Sequence, residues 1–166
     1  MTLVAAGWLA LLVVTPLLPT PVAALIYAVG SFICHQLPER SFHLGEFQLP
    51  VCARCLGIYA GLAIGTMSHL VRGSGPVYGS TQPLESIRHR GLTPMTLVGV
   101  AALPTVVTVG LEWLGVWHVS NVSRAVAGST LGIGVALVVM SAVATLHYSS
   151  CVPRRPTAPS PRPPRI

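Results

Sequence analysis

Aspartate and lysine are absent from this sequence, and charge of either sign is scarce: 8% of residues carry one, against about a quarter in an ordinary soluble domain. Four glutamates remain, at 39, 46, 85 and 112, too scattered to give the paired carboxylates of a hydrolase. Without lysine there is no phosphate-binding loop of the P-loop type. The basic residues are all arginine and the formal charge is +6, which taken alone would suggest nucleic acid. Their positions argue for no nucleic-acid partner. Arg72, Arg88 and Arg90 flank a middle loop and Arg154, Arg155, Arg162 and Arg165 fill the C-terminal tail, two intervening apolar runs apart, as the positive-inside rule requires.

What is present is apolar: 52% of the chain is hydrophobic. Runs over 51–70, 92–114 and 125–146 approach or exceed the roughly 20 residues that cross a bilayer as a helix. A further run over 3–28 is long enough but is interrupted by Pro16, Pro19 and Pro21, which kink or end a helix. No charged residue precedes it, so it is expected to be a retained span rather than a cleaved signal. The sequence therefore predicts an all-α integral membrane protein with four transmembrane helices, over about 3–29, 51–71, 92–114 and 124–147, in one domain spanning 1–150. Residues 152–166, rich in Pro and Arg, are expected to form a disordered tail. Arginine placement predicts a multi-pass protein of the cell (inner) membrane with both termini cytoplasmic and the loop 34–50 exoplasmic.

Small residues recur at four-residue spacing, at Gly57, Gly61 and Gly65 in the second span and Gly128 and Gly132 in the fourth, which allows close helix approach. The two spans are expected to pack on each other through these faces. Self-association, or docking into a larger membrane complex as a subunit or assembly factor, is the other use such faces have.

Three of the four cysteines and two of the six histidines fall between Cys34 and Cys55. Cys52 and Cys55 share a helix face and are expected on the opening turn of the second span, after Pro50. A helix N-terminus and the adjacent Arg54 would both favour thiolate there. Three outward-facing cysteines are an odd number, which a simple structural disulfide does not explain. One account is metal: Cys34, Cys52 and Cys55 with His35 or His43 give a Cys₃His set suited to zinc, the histidine choice staying open. The other is redox: a reversible Cys52–Cys55 disulfide with Cys34 as the exchanging thiol, quinone being the electron acceptor of comparable four-span oxidases. Taken singly, each residue has a plain packing explanation; as a cluster they do not.

Arg40, Arg54, Glu112 and Arg124 collect as polar support near the same membrane face. Glu112 and Arg124 end successive spans joined by a short turn and are expected to pair. Ser120, Asn121 or Ser123 can cap the fourth helix, and Trp113 and Trp117 suit the interface.

The runs Cys34-His35-Gln36, Arg40-Ser41-Phe42 and Pro50-Val51-Cys52-Ala53-Arg54-Cys55 followed by Gly57-Ile58-Tyr59 and Gly61 resemble a prokaryotic family of small membrane proteins, domain of unknown function 2085. Ser120-Asn121, Arg124, Gly128 and Gly132 resemble its weaker second motif. Thr108 and Glu112 depart from the acidic residue and glutamine of many relatives. The resemblance implies a membrane protein with a coherent Cys/His cluster and supplies no activity.

Overall fold

The structure, a computed structural model, describes residues 2–73 and 93–151, with side chains through 68 in the first stretch and 143 in the second. The middle-loop and tail arginines that set the predicted orientation, and the tail 152–166, lie outside the described residues. So does the side chain of Arg72.

The first apolar run folds as two helices, α1 (Thr2–Val14) and α2 (Thr20–Ile33), around a 3₁₀ turn at Thr15–Leu17. The single crossing expected over 3–29 is thus divided, and the prolines are the reason: Pro16 lies inside the 3₁₀ turn and Pro19 caps α2. At about 1.5 Å per residue the 13 residues of α1 extend about 20 Å, short of a hydrocarbon core.

A two-stranded antiparallel sheet, absent from the sequence expectation, follows a second 3₁₀ turn at Pro38–Arg40. Strand β1 (Ser41–Leu44) pairs with β2 (Phe47–Cys52) in the register Leu44 to Phe47 and His43 to Gln48. A bulge follows, so that Ser41 faces Cys52. Gly45 turns the hairpin at φ +63°, a conformation glycine adopts without penalty. The hairpin occupies residues that read as loop and helix start, because its alternation is too short and too interrupted by Pro50 to signal a strand.

Three long helices complete the described chain: α3 (Ala53–Gly73), α4 (Pro94–Trp113) and α5 (Asn121–Cys151). Pro94–Trp113 and Asn121–Val143 are each long and apolar enough to cross a membrane. Apolar side chains point outward along α4, Met95, Leu103, Val106 and Val107 among them, as lipid-facing residues do.

Helices α3 and α5 pack most intimately, and glycine makes this possible. A Cβ at Gly57 would run into the Ala125 carbonyl, one at Gly61 into the Ser129 carbonyl, and one at Gly65 to 2.6 Å from Ala136 Cβ. From the other helix, a Cβ at Gly128 would meet the Arg54 carbonyl and one at Gly132 the Ile58 carbonyl. The expected packing of the two glycine faces is therefore what the fold uses. Helix α4 packs on α5, where Thr105 and Thr130 hydroxyls donate across to the Ala127 and Ala101 carbonyls at 2.7 and 3.0 Å.

Candidate metal centre

With α3 committed to α5 on its glycine side, its opposite side faces α1 and the hairpin. Cys34 caps the C-terminus of α2, Cys52 ends β2, and Cys55 lies on the first turn of α3. The helix begins at Ala53 rather than at the proline, so Cys52 sits at the strand-to-helix junction and not on the opening turn. Pro50 is buried within the strand.

The three Sγ atoms lie within 4.8 Å of one another, and Cys34 is buried. All three thiols are free. A disulfide needs sulfurs about 2.0 Å apart, whereas thiolates bound to one zinc at about 2.3 Å each stand roughly 3.8 Å from each other. The three sulfurs are unbonded and close enough together for one ion to reach all of them.

The Cys52 amide donates to Cys34 Sγ at 3.2 Å. Cys52 itself is pushed down to about 5. The largest cause is the hydrogen bond from the Cys55 thiol; burial opposes it, and the amides of Cys55 and Arg54 together with the Cys34 thiol add to the lowering. Arg54 acts through its backbone here. Its guanidinium is turned away, with Nη2 3.5 Å from Thr108 Oγ1 and 3.6 Å from Glu112 Oε2.

The walls are apolar. Leu12 and Val51 are buried with Cys34, and Trp8, Ile26, Leu56 and Tyr59 pack around them. Trp8 meets Tyr59 edge to face, with ring centroids 6.2 Å apart. His35 and His43 lie outside the sulfur group and are exposed on the loop and hairpin.

Side-chain amides that the sequence did not single out hold the loop. Gln36 Nε2 donates to the Tyr27 and Pro50 carbonyls, each at 2.8 Å, joining α2 to β2. Its backbone is left-handed, φ 51°, so a non-glycine residue is held in a costly conformation by those bonds. Gln48 Nε2 donates back to the Gln36 carbonyl at 2.6 Å and to Ser41 Oγ at 3.2 Å, and the Tyr27 hydroxyl donates to the Gln48 carbonyl. Gln36 was visible in the Cys34-His35-Gln36 run, but nothing in its spacing gave it a partner; Gln48 carried no signal at all.

On the far side of α3 a polar network links the helix ends. Arg124 Nε donates to Glu112 Oε1 at 2.7 Å, the ion pair expected from the sequence, and Nη1 reaches Asn121 Oδ1 at 2.6 Å and the Glu39 carbonyl at 3.4 Å. Asn121 Nδ2 donates to the Ser41 carbonyl at 3.0 Å, pinning the hairpin to α5. Arg40 adds positive charge near the same Glu112 carboxylate. Ser120 Oγ accepts from the Ser123 amide at 3.2 Å, the cap anticipated for α5.

A bundle of apolar helices closed at one end by a short hairpin, with three thiols beneath it, defines a small helical membrane protein with a sulfur-rich cap. The chain belongs to the family described as predicted membrane protein, DUF2085, whose model matches residues 34–138. It is 30% identical over 106 residues to an uncharacterised protein of Methanothermobacter thermautotrophicus, a match that covers 64% of this chain and 83% of that one. A shorter match, 55% identical over 40 residues, joins 24% of this chain to an uncharacterised protein of Methanocaldococcus jannaschii. It spans about a quarter of that relative, 26% of its length. No solved structure matches.

Proposed function

We propose that this protein holds a metal ion on the thiolates of Cys34, Cys52 and Cys55, at the outer face of the membrane, in a structural or accessory role. The observation that carries it is the convergence of three sulfurs from three different elements within 4.8 Å. Zinc is the ion suggested by the Cys-x₂-Cys spacing. Four spans with both termini cytoplasmic, in the inner membrane, would place the cap outside, with α1 and α2 together making the first crossing; the length and apolar character of α4 and α5 support two of the four. Metal analysis of protein purified under reducing, chelator-free conditions tests the reading, with Cys34→Ser, Cys52→Ser and Cys55→Ser as controls. About one equivalent of metal, lost in each variant, is expected. Absence of stoichiometric metal in the unaltered protein refutes it.

The same juxtaposition favours one competing use. Cys52 and Cys55 at a helix start with Cys34 beside them are placed for thiol–disulfide exchange, as in a membrane oxidoreductase that would pass electrons to quinone. Trapping of thiols in cells separates the two: mixed disulfides through Cys52 or Cys55 indicate exchange, and uniformly reduced, metal-protected thiols indicate the metal site.

A further inference from the structure

We propose that the three-sulfur site is built for a three-coordinate monovalent soft cation, Cu(I), in preference to four-coordinate zinc. The proposal rests on the metal-holding function above and sharpens it.

The donor set is the first ground. Among the described residues, Cys34, Cys52 and Cys55 gather without any imidazole or carboxylate, and both nearby histidines lie exposed outside the group. Zinc in a protein fills four positions. Three thiolates leave it one short, to be completed by water or another small ligand. Thiolates bind both ions, so the number of donors is what separates them: Cu(I) is complete with three sulfurs.

The walls are the second ground. A zinc-bound water in a buried site needs polar partners of its own, two to four of them for an ordered water. Here Cys34 is buried, Cys52 and Cys55 are half-buried, and the surroundings are Leu12, Val51, Ile26, Leu56 and the Trp8–Tyr59 ring pair, whose own polar atoms face each other. The Cys52 amide, a polar group at the cluster, is already engaged on Cys34 Sγ. A site lined this way suits an ion whose valence is satisfied by the sulfurs alone.

Charge is the strongest objection, since three thiolates around a monovalent ion leave one more negative charge than around zinc. The N-terminus of α3 answers part of it. Cys52 and Cys55 sit at that end, where the helix dipole and free amides favour negative charge.

The test is a competition on the full-length, detergent-solubilised protein, reduced and handled without oxygen. Cu(I) is supplied as a soluble complex, zinc is added in excess, and X-ray absorption reports the ligands of whichever ion is bound. One Cu(I) per chain, three sulfur neighbours, no nitrogen or oxygen neighbour and no displacement by a tenfold excess of zinc are expected. His35→Ala and His43→Ala proteins are expected to bind Cu(I) as the unaltered protein does. Displacement of copper by zinc, or a nitrogen neighbour that disappears in either histidine variant, overturns the proposal and leaves the metal-holding function standing. Failure to bind either ion stoichiometrically overturns both.

Discussion

Replacing Glu112 by alanine removes the one carboxylate shared by Arg124, 2.7 Å away, and Arg54, 3.6 Å away. The Glu112 side chain is 7% exposed and that of Arg124 11%, so both charges lose most of their water on folding. Removing one partner of a buried pair costs about 3–5 kcal/mol, because the other is left uncompensated. Arg124 keeps Asn121 Oδ1 and the Glu39 carbonyl, which places the expected loss at the lower end, about 3 kcal/mol. That is roughly 150-fold in the folding equilibrium, at a factor of ten for every 1.4 kcal/mol. Glu112→Gln retains an oxygen for Arg124 Nε and loses only the charge, so about half the effect is expected. Reversible unfolding in mixed micelles, followed by circular dichroism, measures both. A double-mutant cycle with Arg124→Ala isolates the Glu112–Arg124 pair, since Arg54 loses its partner equally in both variants that lack Glu112 and that cost cancels. Glu112→Ala within about 0.5 kcal/mol of the unaltered protein, the range of ordinary surface changes, would falsify the network.

Other substitutions probe the remaining contacts. Gly61→Ala places a methyl group against the Ser129 backbone carbonyl and should cost about 1–3 kcal/mol through overpacking, whereas Gly99→Ala, with nothing within 4 Å, should be neutral in the same unfolding assay. Gln36→Ala loses two donors to buried-side carbonyls, and a loss of about 1–3 kcal/mol is expected; Gln36→Gly should lose less, because glycine relieves the φ of 51°. In reduced, metal-free protein, iodoacetamide should alkylate Cys52 at pH 6 to 7, while the denatured chain reacts only near its ordinary thiol range. The sign follows from the lowered folded value: this thiol stabilises the fold fully above its unfolded value of 9.0, less as pH falls, and not at all below about 5. Equal alkylation of folded and denatured chains at pH 6 would show that Cys55 does not share its proton with Cys52.

Helical architecture was legible where it rested on long periodic features. Gly57, Gly61, Gly128 and Gly132 announced the α3–α5 contact because four-residue spacing is the same statement in sequence and in space. Glu112 and Arg124 were legible for a similar reason, being separated by a turn too short to keep them apart. The hairpin was not, since six residues of β2 containing a proline carry no distinct period, and a short strand leading directly into a helix looks like more helix. The histidines were legible in type but not in position. Residue type and spacing made His35 and His43 natural fourth ligands, but a side chain's direction is set by the hairpin register and the left-handed turn at Gln36, neither of which spacing encodes. Arg54 was drawn to the thiols by adjacency in sequence and is drawn to Glu112 in space, because a helix turns successive residues to different faces.

A metal would occupy this cap rather than order it, because other contacts already hold the cap together. Small metal-binding modules with little core are unfolded until the ion arrives. Here Cys34 and Cys52 are joined by ties that do not involve sulfur: Gln36 between Tyr27 and Pro50, Gln48 between Gln36 and Ser41, and Asn121 on the Ser41 carbonyl. Leu49, Val51 and Ala53 are buried beneath them. Each tie contributes about 1 kcal/mol net. Several together outweigh the modest closure entropy of the 18-residue separation that a metal would otherwise have to overcome. The ligands are therefore positioned in advance, and ion binding should be fast and tight without a folding step. Chelator-treated, reduced protein is expected to keep its helical circular dichroism, and a protease should cut the hairpin no faster than in the loaded form. Loss of helix signal, or new cleavage between Ser41 and Cys52 on metal removal, would mean that the ion and not the glutamine ties builds the cap.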